Sequence, residues 1–239
     1  MIADEQIRLL ANKYQTTELN IRREYFQHLF LSHFYSLSQS DGVYFKGGTA
    51  LRIFYQSPRF SEDLDFTSVN KSEPKIEELL LQVLSEIEKE GIESSLKEAK
   101  TTSGGYLAHT FFTAREQTVN ISLQISFRQT KAIGRAITVV NDFVSAYTIM
   151  GLAQEELIFE KIQALLERQK PRDFYDLYFI LRASLLCVSQ KRILPKVLQL
   201  LAKTGINFEQ ELKQFLPKSH WAIIKDFKTT LEREIKNNL

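Results

Sequence analysis

The sequence predicts an α/β (α+β) protein with a small mixed β-sheet core over residues 41–150. An N-terminal helical arm over 1–40 precedes that core, and a C-terminal helical domain over 151–239 follows it. Three observations carry this. Strand-like stretches are confined to the middle of the chain. Apolar residues at helical spacing dominate on both sides of it. Residues 118–128 alternate without a break, with Val119, Ile121, Leu123, Ile125 and Phe127 on one face and Asn120, Ser122, Gln124, Ser126 and Arg128 on the other.

The elements follow in order. Residues 18–37 read as a helix, with Leu19, Tyr25, Phe26, Leu29, Phe30, His33, Phe34 and Leu37 at near-helical intervals. Asp41-Gly42 ends that region. Residues 43–46 form a short strand that runs into Gly47-Gly48, and 49–55 a short helix stopped by Ser57-Pro58. A loop over 59–62 leads into a half-buried strand over 63–67. Residues 74–90 are amphipathic, with Pro74 in the first turn and Gly91 past the end. Strands are predicted over 92–97, 106–114, 118–128 and 136–140. From about residue 153 the pattern is helical: 154–168, 172–183, 193–202, 208–215 and 221–235. The two halves are expected to pack together around a cleft.

Composition narrows the classes. The chain has 239 residues, 44% of them hydrophobic, enough for one large core or two small ones. A formal net charge of +2 does not demand nucleic acid, so any basic surface must be local. A single cysteine, Cys187, rules out an internal disulfide; its run Leu185-Leu186-Cys187-Val188 predicts a buried thiol. No stretch has the roughly 18 apolar residues of a membrane span. Asp4, Glu5 and Arg8 do not fit a signal peptide, so a cytoplasmic protein with no membrane partner is expected. His28 and His33 lie among Phe26, Phe30 and Phe34, where packing explains them better than catalysis.

Three segments stand out together. Lys46-Gly47-Gly48-Thr49 sits between a strand and a helix, where glycines permit a tight turn and helix N–H groups can face a phosphate. Ser61-Glu62-Asp63-Leu64-Asp65-Phe66 places Asp63 and Asp65 on one strand face, and a hard cation such as Mg²⁺ would relieve their repulsion. Glu160-Lys161, Arg168 and Lys170-Pro171-Arg172-Asp173-Phe174-Tyr175-Asp176-Leu177 form a charged helix–helix corner, with Asp176 expected to pair with Arg172. Each alone has a plain structural reading. Their order is that of a nucleotidyl-transfer site: glycine turn for the triphosphate, acids for metal ions, and Lys161 and Arg168 to neutralise developing charge from across the cleft.

Phe45-Lys46-Gly47-Gly48-Thr49-Ala50-Leu51-Arg52, Arg59-Phe60-Ser61-Glu62-Asp63-Leu64-Asp65-Phe66, Glu160-Lys161 and Arg172-Asp173-Phe174-Tyr175-Asp176-Leu177 resemble the motifs of the AbiEii/AbiGii nucleotidyltransferase toxins, within the polymerase-β-like superfamily. The resemblance covers roughly residues 21–183. It implies a toxin of a bacterial toxin–antitoxin or abortive-infection system that uses a nucleoside triphosphate and Mg²⁺ or Mn²⁺. The acceptor it implies is RNA, tRNA at its 3′ end. It also implies an antitoxin encoded by an adjacent gene, often without a stable complex. By motif matching, Gly47, Gly48 and Thr49 bind the phosphates, with Lys46, Arg59, Ser61 and Arg168 as further nucleotide contacts. Asp63 and Asp65 hold metal, Lys161 contacts the nucleotide and Asp173 completes the site. One departure stands: the superfamily's third carboxylate falls at Gln124, which can ligate through its carbonyl but cannot accept a proton. Asp173 is then the candidate substitute base.

Three functions follow from this reading: transfer to RNA, transfer to a protein hydroxyl, or nucleotide binding without turnover. An RNA acceptor predicts a basic surface, for which Arg22, Arg23, Lys131 and Arg135 are candidates.

Overall fold

The alternating middle of the chain forms a seven-stranded mixed sheet in the computed structural model, which describes residues 1–69 and 72–239. Among those residues the chain forms α1 (Asp4–Lys13), α2 (Glu18–Ser36), β1 (Val43–Lys46), α3 (Gly47–Tyr55), β2 (Leu64–Ser68) and α4 (Glu73–Lys89). It continues through β3 (Glu93–Thr102), β4 (Gly105–Ala114), β5 (Gln117–Ser126), β6 (Gly134–Val139) and β7 (Tyr147–Leu152). The strand order is β3-β4-β5-β2-β1-β7-β6. β2 runs parallel to β5 and β1 parallel to β7; the other pairs are antiparallel.

Alternation decides which face of the sheet is core. Val43, Phe45, Leu64, Phe66, Ile121, Leu123, Ile125, Ala108 and Phe112 are all buried. Helix α2 is buried on most of its circumference and supplies aromatic rings to this core. Phe26 stacks on Phe112 and Phe34 on Phe66, with centroids 5.2 and 5.0 Å apart. Arg52 and Glu24 form a part-buried pair (Nη2–Oε2 2.9 Å), with the guanidinium carbon 3.6 Å from the centre of the Phe60 ring. His28 is buried as expected, with Nδ1 2.8 Å from the Tyr147 hydroxyl.

The chain divides into two compact units. The first comprises Met1–Gln56 and Phe60–Leu152, so the N-terminal helices belong with the sheet. The second comprises Ala153–Leu239 together with the short stretch Ser57–Arg59. It contains α5 (Gln154–Arg168), α6 (Pro171–Arg182), α7 (Val188–Lys191), α8 (Leu194–Lys203), α9 (Phe208–Leu212), α10 (Trp221–Lys225) and α11 (Phe227–Asn237). Phe174, Tyr175, Leu194, Val197, Leu212, Phe227, Leu231 and Ile235 fill its core.

Three expectations change. The helix predicted over 221–235 is two helices broken at Asp226, whose ψ of 40° leaves the helical range. β7 is an element the periodicity did not predict. Cys187 is half-buried rather than buried: it precedes α7, and its Sγ lies 3.1 Å from the Ser189 hydroxyl.

Candidate active site

The pairing register builds the site in the first unit. Lys46 on β1 pairs with Asp65 on β2, and Asp65 pairs with Gln124 on β5. Directly paired residues share a face of the sheet, so the three side chains form one polar row opposite the apolar core. Gln124 therefore stands directly beside Asp65 in the row. Among the described residues no three His, Cys, Asp or Glu side chains converge as metal ligands.

The glycine turn sits on this row. Gly47 has a φ of +85°, which a residue with a Cβ rarely adopts. A Cβ there would also lie 2.1 Å from Asp65 Oδ2. The Gly47 backbone is thus pressed against the Asp65 carboxylate at the N-terminus of α3, where the first N–H groups have no partner within the helix.

The Thr49 side chain is buried, and its hydroxyl donates to the backbone carbonyl of Asp63 at 2.6 Å. The hydroxyl anchors the residue before β2. Asp63 lies just outside β2, and Ser61 is half-buried, its carbonyl accepting from Gln27 Nε2 at 3.0 Å.

The remaining predicted residues gather in the second unit as an ion-paired network. Arg59 forks onto Asp176 (Nε–Oδ1 2.8 Å, Nη2–Oδ2 3.0 Å), and Lys161 Nζ reaches Asp176 Oδ2 at 2.8 Å. Arg59 and Asp176 are both almost fully buried. Burial alone would raise the Asp176 carboxyl, but the Arg59 and Lys161 charges outweigh it and hold it at about 2. Asp176 thus pairs with Arg59 and Lys161, not with Arg172 as its helical spacing suggested. Asp173 takes a 2.7 Å bond from Arg168 on Oδ1 and the Lys170 backbone N–H at 3.2 Å on Oδ2, capping α6.

Two of the arginines proposed for a basic surface are paired. Arg22 bonds Asp4 at 2.8 Å and Arg23 bonds Glu62 at 3.2 Å. Lys131 and Arg135 are exposed.

A model of the nucleotidyl transferase AbiEii toxin family, of type IV toxin–antitoxin systems, matches residues 29–236. The chain belongs to that family. The AbiEii match spans both units and includes every candidate nucleotide- and metal-binding residue from Lys46 to Asp173. Solved structures share the AbiEii chain's fold. A Helicobacter pylori protein described as a candidate nucleotidyltransferase has a TM-score of 0.62 at 19% identity, covering 92% of this chain and 98% of its own. JHP933 from Helicobacter pylori has a TM-score of 0.60 at 18% identity, covering 93% and 95% respectively. At such identities the likeness is one of fold. No curated protein matches the chain in sequence.

Proposed function

We propose that this AbiEii-family chain transfers a nucleotide from a nucleoside triphosphate to an RNA 3′ end, with tRNA as the acceptor class and an antitoxin encoded beside it. The observation that carries the reading is the Lys46–Asp65–Gln124 row with Gly47 packed on the Asp65 carboxylate.

The donor set suits Mg²⁺ or Mn²⁺, because two carboxylates and an amide carbonyl are hard oxygen ligands. Asp63 and Asp65 would hold the ion, with the Gln124 carbonyl beside them. A bound divalent cation supplies charge neutralisation on the phosphates and acidifies the attacking hydroxyl. The α3 N-terminus at Gly47-Gly48 receives the triphosphate through backbone N–H groups. The acceptor oxygen bonds to the α-phosphorus as the bond to the β-phosphate breaks, and pyrophosphate leaves. Gln124 cannot take the acceptor's proton, so we assign that proton to its register neighbour Asp65. Asp173, with both oxygens committed, caps α6 and holds Arg168 in this scheme. Arg59, Asp176 and Lys161 keep the second unit's loop and helices in place.

The test is a transfer assay with each α-labelled nucleoside triphosphate, Mg²⁺ or Mn²⁺, and total cellular RNA and protein. Label in tRNA-sized RNA is expected with the wild type, reduced about a hundredfold or more by Asp65→Asn. Label entering protein would replace the acceptor, and no label under any condition would overturn the catalytic reading. Gln124→Glu should preserve or raise the rate if the third position tunes metal affinity.

A further inference from the structure

The polar row does not stop at Gln124. Across β4 it continues to Leu107, and across β3 to Lys100. The neighbouring row runs Ser122–His109–Lys97, and the next Asn120–Phe111–Ser95. All of these residues share the face opposite the core, and Lys97, Lys100, Asn120 and Gln124 are exposed.

A β-bulge makes this face basic. On a regular strand, Lys97 and Lys100 are an odd number of residues apart and point to opposite sides. Here the register shifts between them: Lys97 pairs with His109 and Lys100 with Leu107, so one extra residue of β3 is accommodated. Glu98 takes a φ of +53° within the bulge. The result is two lysines on one face, with Lys97 Nζ 4.9 Å from the centre of the half-buried Phe111 ring. Beside them His109 Nδ1 is shielded from solvent and has no hydrogen-bond partner. Lys100 lies roughly 14 Å from Asp65 along the row, the width of three strand spacings.

We propose that the open face of β3–β4–β5 is the binding platform for the single-stranded 3′ segment of the RNA acceptor, leading its terminal hydroxyl to Asp65. Phe111 stacks a base, Lys97 and Lys100 neutralise phosphates, and His109 and Asn120 offer hydrogen bonds to base edges or 2′-hydroxyls. Single-stranded nucleic acid needs this combination of aromatic ring and spaced cations on an exposed sheet. The face runs without a break into the row that holds Asp65. This inference rests on the nucleotidyl-transfer reading of that row.

The experiment separates the two. A labelled single-stranded oligoribonucleotide with a free 3′ hydroxyl is titrated with the full chain, without nucleotide or metal, across a salt series. Lys97→Ala/Lys100→Ala, at exposed positions that leave the core intact, should weaken binding about tenfold and lower the slope of log Kd against log salt by about 1.4, the loss of two phosphate contacts. Phe111→Leu should weaken binding about tenfold with the slope unchanged. Asp65→Asn should bind like wild type while losing transfer. Affinity and slope unchanged in the double-lysine variant would overturn the platform, as would label entering protein with no oligonucleotide binding. Lysine-dependent binding by a wild type that transfers nothing would keep the platform and sink the chemistry. RNA transfer with a lysine-independent KM would do the reverse.

Discussion

Gly47 is the residue on which the site is most exposed to a single change. Its φ of +85° and the 2.1 Å approach of a would-be Cβ to Asp65 Oδ2 act together. Gly47→Ala should therefore cost about 1–3 kcal/mol in urea unfolding and displace the Asp65 carboxylate, reducing transfer far more than stability. Thr49→Val tests the anchor on the Asp63 carbonyl. It keeps the shape and removes the 2.6 Å bond, so a loss of about 0.5–1.5 kcal/mol is expected, with lower kcat. Asp176→Ala should cost about 3–5 kcal/mol, because it removes the carboxylate onto which the buried Arg59 forks; denaturation midpoints would show it. The sequence displayed the glycine pair and the two aspartates plainly, because their types and spacing are themselves the signal. It did not show that the Thr49 hydroxyl turns inward, nor that Asp176 pairs with Arg59. That partner is 117 residues away, whereas Arg172 lies on the same helix, and only local spacing can be read from one chain.

Elements were legible in proportion to their regularity. β5 was read because one face is buried and the other is not, residue after residue. α5 was read with the bounds it has, 154–168. β7, Tyr147–Leu152, was not read: it is a short apolar run paired to β1 in parallel, a partnership no turn announces. The break at Asp226 escaped because the apolar spacing continues through it, with no Gly or Pro to mark it. The β3 bulge escaped for a similar reason, since Glu98 carries no sequence signature of a positive φ. That strain can be relieved without altering the register. Glu98→Gly should raise stability by about 0.5–1 kcal/mol in chemical denaturation and leave Lys97 and Lys100 on the same face.

At the scale of the molecule, each unit carries its own response to acid. In the first, burial, with the Arg52 charge second, pushes His28 down to about 3 from 6.5. The unfolded chain binds a proton below pH 6.5 that the folded one refuses. Stability therefore falls by up to about 1.4 kcal/mol per pH unit as pH drops from 6.5 toward 3. In the second, Asp176 is held at about 2, below its usual 3.8. Its contribution is intact above pH 4 and is lost as pH falls through 2. Urea unfolding at pH 7.5 and 5.0 should show a loss in wild type that His28→Gln abolishes. Fluorescence of the chain's single tryptophan, Trp221, belongs to the second unit and should hold to lower pH. The stretch Ser57–Arg59 has a consequence for how such a chain comes into being. It leaves the ribosome early, yet its buried partner Asp176 is made 117 residues later, about 6–23 s at ordinary elongation rates. Through that interval the Arg59–Asp176 fork cannot form, so an incomplete chain lacks this hold on the 57–59 stretch. The 57–59 stretch therefore reaches its final place only after the second unit has been synthesised.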